Sequence, residues 1–339
     1  MNNVFLHDSL STLDKVSVVV VNWNGERFLE RCLAALMAQT VKPHEIILVD
    51  NASSDGSVNI ARQFSLLRLM LLDQNTGFAR GNNLALKAAS VESKWIALIN
   101  PDAFAEPCWL ESLLVAVERN PGFDVFGSKL LNAADPTVLD GVGDTYHVSG
   151  LVWRAGHSAP VPTYAENERE VFSPCAAAAL YRRSAVLKVG GFDEDYFCYV
   201  EDIDLGFRLR LAGYRCLYVP QSEAYHVGSG TTGGQHSNFS VYHGHRNLVW
   251  TYVKNMPGML FWLLLPLHLS LNIFSIFWFT LRGQGVTILR AKRDAIKGLP
   301  NMWRKRREIQ AKRAATVGDI WRVLNKSLIP RRIPWEKRG

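Results

Sequence analysis

Strand-like and helix-like hydrophobic patterns alternate four times in the first hundred residues. Residues 16–21 form an apolar run rich in β-branched side chains, as a strand buried on both faces requires. Asn22-Trp23-Asn24-Gly25 reads as a turn. Residues 26–39 then place Phe28, Leu29, Cys32, Leu33, Leu36 and Met37 at helical spacing. A second apolar run at 46–49 ends on Asp50 and is followed by a polar loop and a short helix at 57–64. Residues 66–72 predict a third strand, and Asn75 to Asn83 opens a helix reaching 89. Residues 94–99 predict a fourth strand, closed by Asn100-Pro101-Asp102. Four strand–helix alternations with short connections predict an α/β fold with a doubly wound, mostly parallel sheet.

The second half is less regular. Helices are expected at 109–118 and 205–212, and strands at 125–130, 176–180 and 215–219. Residues 132–170, rich in Gly, Pro and polar side chains, read as an excursion over a substrate site. No internal repeat is apparent.

From 255 to 281 there is no Lys, Arg, Asp or Glu. One membrane crossing fits that length, and two do not. A buried core helix is the plainer alternative. The flanking charge bears on the choice. Residues 282–339 carry 17 Lys and Arg against 4 Asp and Glu, which leaves 21 against 27 in residues 1–281. A single crossing would set the basic tail opposite the N-terminal domain, against the positive-inside tendency if that domain is cytoplasmic. With Pro266 and Asn272 interrupting the run, a re-entrant or in-plane helical segment is expected at 256–281. The basic tail, 282–339, then stays on the cytoplasmic face against an anionic membrane surface rather than nucleic acid. Five scattered cysteines without a Cys-x-x-Cys pair argue for a reducing compartment. The polar lead, 1–15, shows no apolar signal-peptide core.

Candidate chemistry gathers in residues 190–208. Carboxylates at 193–195, 201, 202 and 204 alternate with Phe192, Tyr196, Phe197, Tyr199 and Val200. Apolar neighbours desolvate a carboxylate and raise its pKa toward values useful to a general base. An aromatic loop leading into an acidic helix N-terminus is the plainer reading. In open α/β sheets, ligands sit beyond the carboxyl ends of the strands. Asp50, Asp102 and the Asn22–Asn24 turn are therefore expected around one crevice. That turn lacks the glycine pattern of dinucleotide-binding oxidoreductases.

Seven segments stand in order along the chain: Val-Val-Asn22-Trp-Asn24-Gly, Val-Asp50-Asn-Ala-Ser-Ser-Asp55-Gly-Ser, Asn75-Thr-Gly77-Phe-Ala-Arg80-Gly-Asn82-Asn83, Asn100-Pro-Asp102-Ala, Gly190-Gly-Phe-Asp193-Glu, Glu201-Asp202-Ile-Asp204-Leu, and His226. Together they resemble a family 2 glycosyltransferase of GT-A fold, in the bacterial rhamnosyltransferase-like branch. The resemblance spans about residues 16–255, with a nucleotide-sugar-binding half at 16–130 and an acceptor and catalytic half at 131–255.

The resemblance implies roles. Asp50 grips nucleobase and ribose, and Asn24 borders the base. Asp55 is a second ribose contact or a turn residue, and Arg80 lies near the diphosphate. Asn100-Pro-Asp102 stands where the family has Asp-x-Asp. Asp102 and His226 would then hold Mg²⁺ or Mn²⁺, with Asn100 as a carbonyl ligand or a supporting residue. Asp202 is the expected general base of an inverting transfer, with Glu201 and Asp204 orienting it. Asp193, Glu201 and Trp153 are expected at the acceptor, though core packing is open for Trp153, and Arg246 is a phosphate contact or a plain surface residue. The implied partners are a nucleotide sugar, deoxythymidine-diphosphate-rhamnose before a uridine-diphosphate hexose, and a lipid-linked saccharide in cell-surface polysaccharide synthesis. A catalytically silent membrane-attached binding module and a soluble nucleotidyltransferase of similar fold are the rival readings.

Overall fold

A computed structural model describes residues 14–161, 166–228 and 237–327. Most of the polar lead and the last part of the basic tail lie outside the described residues.

Strands β1 (Val16–Asn22), β2 (Glu45–Asp50), β3 (Leu67–Leu71) and β4 (Trp95–Ile99) alternate with helices α1 (Glu26–Met37), α2 (Ser57–Ala61) and α3 (Gly77–Ala88). These strands pair in parallel in the order β3-β2-β1-β4, with Asn22 in register with Asp50. Two elements follow, β5 (Ala103–Ala105) and α4 (Trp109–Arg119), and then β6 (Val125–Asn132) and β7 (Leu139–Gly141). The excursion contains a small hairpin, β8 (Asp144–Tyr146) and β9 (Val152–Arg154), and ends in β10 (Arg169–Glu170). β11 (Ala178–Arg182), α5 (Arg183–Lys188), α6 (Glu201–Leu211) and β12 (Cys216–His226) complete the sheet. Its order is β10-β12-β6-β11-β4-β1-β2-β3, with β5 on β12 and β7 on β6. β11 runs antiparallel to both β4 and β6, so the sheet is mixed beyond its four-strand parallel half.

Alternate side chains of the central strands face two layers. Leu29, Leu33, Trp109 and Leu113 cover one face, and Ala85, Leu86, Val186, Leu205 and Leu209 the other. Near-total burial explains why β1, β2 and β4 read as apolar runs rather than alternating ones.

One strand differs from its sequence pattern in a way that builds the site. The apolar signal ends at Val219, because Pro220 cannot donate to a ladder. The strand nevertheless resumes after a bulge between Val219 and Glu223 and runs on to His226. Ser222, inside the bulge, is held by Trp109 O at 3.2 Å and by Ser128 Oγ at 2.9 Å. The extension pairs with β5 and sets His226 opposite Ala103, one residue beyond Asp102.

The charge-free segment is helix α8 (Gly258–Leu281), preceded by α7 (Asn238–Asn255). α8 is the one helix among the described residues long and apolar enough to cross a membrane, and only 28% of its most apolar window is buried. Its polar interruptions face the protein. His268 stacks on Tyr252 with ring centroids 4.0 Å apart, and Lys292 donates to Asn272 Oδ1 at 2.6 Å. Trp262, Leu263, Ile273, Phe274 and Phe277 stand exposed on the other side. Over its described part, the basic stretch is helical, as α9 (Gly285–Ala311) and α10 (Val317–Val323). α9 lies along α7, where Gly298 leaves no room for a Cβ against the Trp250 indole.

Candidate active site

A cavity of about 530 Å³ opens at the carboxyl ends of β1 and β4. Asn100, Pro101 and Asp102 line it from the end of β4, and His226 from the end of β12. Trp153 and Arg154 come from β9, and Glu201 and Asp202 from the start of α6. Asp102 and Asp202, a hundred positions apart, thus face one space.

At one end stands a chain of charged groups. His226 is buried, with Nε2 3.3 Å from Asp102 Oδ1 and Nδ1 2.7 Å from Asp140 Oδ2. The same Asp140 carboxylate is bonded by Arg154. His157 Nδ1 lies 2.9 Å from the Asp140 backbone oxygen. Burial alone would raise the Asp140 pKa, but Arg154, His157 and His226 outweigh it and hold it well below the usual carboxylate range. Burial depresses the His226 imidazole, yet the Asp102 and Asp140 carboxylates lift it to about 9. Asp140 fixes the ring so that Nε2 points at Asp102 and Asn100, the arrangement in which carboxylates orient metal-binding histidines. Asn100 Oδ1 is buried without a hydrogen-bond partner among the described residues. This amide oxygen, the Asp102 carboxylate and the His226 nitrogen fit a small divalent cation that takes its remaining ligands from phosphates and water. No group of three or more His, Cys, Asp or Glu among the described residues could hold a cation alone.

At the other end, α6 begins with Glu201 and Asp202. The Ile203 amide donates to Asp202 Oδ1 at 2.8 Å and the Ala176 amide to Oδ2 at 3.4 Å. Burial raises the Asp202 pKa, against the pull of those amides and of Arg154. Glu201 is raised well above the usual range, by burial first and by Asp202 second. Its Oε2 has no hydrogen-bond partner among the described residues.

The loop into α6 is strained. Phe197, Tyr199 and Val200 have φ near +65°, a region that non-glycine residues seldom occupy. Asn247 on α7 holds the loop, its Nδ2 donating to the carbonyls of Tyr196, Cys198 and Tyr199 at 3.1, 2.9 and 2.7 Å. Gly77, at φ +83°, lets α3 approach the Phe197 ring where a Cβ would stand 2.6 Å from it. Arg246 bonds the carbonyls of Asp195 and Tyr196. Asp204 faces away from the cavity, between Arg208 at 2.8 Å and the fully buried Lys254 at 2.7 Å.

Of the residues singled out in the sequence, Asn100, Asp102, Trp153, Glu201, Asp202 and His226 line the cavity. The others do not. Asp50 lies beneath the turn after β1, accepting from Asn22 Nδ2 at 2.9 Å and Ser53 Oγ at 2.7 Å, while its neighbour Asn51 reaches the cavity wall. Asn24 accepts from the Ser54 amide at 2.8 Å. Asp55 accepts from the Glu26 and Ser57 amides at 3.0 and 3.1 Å, as a turn residue does. Arg80 is half exposed, 4.0 Å from Glu194. Asp193, expected at the acceptor, is buried between Lys254, at 2.5 Å, and Lys305. These two ammonium groups already satisfy it. Asp140, Asp144, Arg154 and His157 were not foreseen. Their only signal was a carboxylate pair followed by Arg-x-x-His inside a stretch with no periodicity.

This mixed sheet, with its site at the strand ends, is that of the GT-A glycosyltransferases. Similar solved structures include GalNAc-T7 with UDP, GalNAc and Mn²⁺, at TM-score 0.56 and 15% identity, covering 72% of this chain and 48% of that one. Another is the mannosyltransferase PcManGT from Pyrobaculum calidifontis in complex with GDP-Man and Mn²⁺, at TM-score 0.54 and 17% identity, covering 92% and 89%. The family model for glycosyl transferase family 2 matches residues 17–190. The N-acetylglucosaminyl-diphospho-decaprenol L-rhamnosyltransferase of Mycobacterium tuberculosis is 31% identical over 65% of this chain and 78% of its own length. The rhamnosyltransferase WbbL of Escherichia coli is 28% identical over 62% and 83%. The chain belongs to glycosyl transferase family 2, in its rhamnosyltransferase-like branch, and is a glycosyltransferase.

Proposed function

We propose that the protein transfers a rhamnosyl group, with inversion, from a nucleoside diphosphate to a lipid-linked saccharide. Asp202 takes the proton of the attacking hydroxyl. The observation that carries this reading is the pairing within one cavity of a buried carboxylate of raised pKa, Asp202, with the Asp102–His226 cluster opposite. A base must hold a pKa near working pH to accept a proton as the bond forms. The sugar's anomeric carbon lies between the two ends, so the hydroxyl enters from the Asp202 side and the diphosphate leaves on the Asp102 side.

Asp102, His226 and Asn100 would hold Mg²⁺ or Mn²⁺. Such a cation neutralises charge on the departing diphosphate, which removes the need for a general acid. Arg154 adds a partly buried positive charge beside Asp140. A rhamnosyl group is supported by the names of two relatives, and deoxythymidine diphosphate is proposed as its carrier. A polyprenyl-diphosphate-linked acceptor is supported by one of those names and by the exposed apolar face of α8. In this reading α8 lies in the cytoplasmic face of the membrane beside the basic α9. Nucleotide contacts are assigned to the β1–α1 turn and the end of β2, with Asp50, Asn24 and Asp55 ordering the loop against base and ribose. Arg80 is assigned to the diphosphate side and Trp153 to the acceptor.

The test is a panel of nucleotide sugars incubated with the protein, Mn²⁺ and a lipid-linked N-acetylglucosamine acceptor, with nucleoside diphosphate release and product anomeric configuration as readouts. Release dependent on acceptor, strongest with the rhamnosyl donor and giving the inverted anomer, is expected. Retention of configuration, or pyrophosphate release from a nucleoside triphosphate, would remove the proposal.

A further inference from the structure

We propose that Asp144 is a substrate-binding residue, which receives hydroxyl groups of a pyranose ring and sets that ring beside Asp202. The inference rests on the glycosyl-transfer reading of the cavity.

Asp144 opens β8, its backbone fixed by a bond from its amide to Ser173 O at 2.8 Å. It faces Arg154 across the β8–β9 hairpin and lines the cavity with Val152 and Trp153. The residue is buried, with 7% of its surface exposed. Its Oδ2 meets no hydrogen-bond partner among the described residues. The cation across the hairpin, Arg154, is bonded through Nη1 to Asp140 and not to this oxygen. A buried carboxylate oxygen without a partner is costly, and proteins keep one where something else completes it.

The surroundings narrow what that partner is. Glu201 Oε2, on the same cavity, is a second buried oxygen without a partner among the described residues. Both acids lie on the Asp202 side, and Asp202 is the carboxylate that acts most strongly on Asp144. Oxygens this close to a third carboxylate call for hydroxyl donors, not for another anion. Val152 and Trp153 add an apolar wall on the same hairpin. Several hydroxyl groups on a ring with an apolar face describe a sugar. Burial, with Asp202 second, raises the Asp144 pKa well above the usual range, so the group can also donate a proton in such a bond. Two sugars meet at the reaction centre, the donor's and the acceptor's, and both offer this chemistry.

The full-length protein is tested as wild type, Asp144→Asn and Asp144→Ser. KM is measured for the nucleotide sugar at saturating acceptor and for the lipid-linked saccharide at saturating donor. Mn²⁺-dependent binding of the free nucleoside diphosphate and thermal unfolding are followed in parallel. The loss of a hydrogen bond to a charged or acidic group predicts a rise of roughly 10- to 100-fold in one KM. The arm that moves identifies the sugar held. Nucleoside diphosphate binding stays within about twofold, because that ligand lacks the pyranose. Both KM values unchanged in folded variants overturn the proposal. So does a loss of Mn²⁺-dependent nucleotide binding, which would make Asp144 part of the cation site, and so does a change confined to the acid limb of the pH profile. A wild-type protein that transfers no sugar contradicts the proposed function instead. In that case, competition binding of free monosaccharides to wild type and Asp144→Asn still decides whether Asp144 holds a sugar.

Discussion

At the residue scale, function turns on what surrounds each carboxylate. Asp140, gripped by Arg154 and His226, is anionic throughout the physiological range, whereas Asp202, buried and held by two amides, has a raised pKa. The sign follows directly. As the proposed base, Asp202 cannot take the acceptor's proton once it is protonated, so kcat/KM is expected to fall as pH falls through its pKa. The account predicts an acid limb above the usual carboxylate range, measured from kcat/KM against pH, and its disappearance with the residual activity of Asp202→Asn. Asp140→Asn releases the His226 ring from its orienting partner, and Mn²⁺ affinity measured calorimetrically drops by about 10- to 100-fold. Asp102 and Asp202 were legible in the sequence because each sits at an element boundary that hydrophobic periodicity locates. Asp140 and Asp144 were not, because the segment around them is held by short bridges and hairpins that leave no period to read.

At the element scale, the start of α6 depends on a helix far along the chain. The loop 197–200 keeps left-handed backbone at non-glycine residues, and Asn247 of α7 supplies the bonds that hold it there. Asn247→Ala leaves these carbonyls without donors and destabilises the protein by about 1–3 kcal/mol, with a larger relative loss of kcat than of nucleotide affinity. Lys254, fully buried between Asp193 and Asp204, ties α7 to the same region. Lys254→Met takes one of two cations from each of two buried carboxylates, leaving Arg208 on Asp204 and Lys305 on Asp193, and chemical denaturation is expected to register about 1–3 kcal/mol. Strands β1 to β4, β6 and β11 and helices α1 to α4 could be read from apolar runs. β12 could be read only in part, since its bulge at Pro220 conceals the stretch that delivers His226, and β5 is too short to leave a pattern.

At the scale of the whole molecule, a mixed sheet carries the site and a helical layer, α7 to α9, closes its far side. The same layer exposes the aromatic and aliphatic side chains of α8, with the cationic residues of α9 nearby. Sedimentation with vesicles is expected to be stronger for anionic than for zwitterionic lipid and to weaken with salt. Trp262→Glu with Phe277→Glu reduces it at least about tenfold, given about 1.5–3 kcal/mol per buried large apolar side chain, without lowering thermal stability. The sequence disclosed the apolar segment and the charge contrast, because both are compositional. It did not disclose that the basic stretch packs as a helix on α7, because that depends on close approaches such as Gly298 against Trp250.

The most direct measurement compares wild type with Asp202→Asn in two assays on the same preparation: sugar transfer to a lipid-linked acceptor, and Mn²⁺-dependent binding of the nucleoside diphosphate. The account predicts a fall in transfer of roughly 10²- to 10⁴-fold with nucleotide binding preserved. Transfer that survives the substitution, or nucleotide binding that vanishes with it, contradicts a base at Asp202 set apart from the cation site at Asp102 and His226.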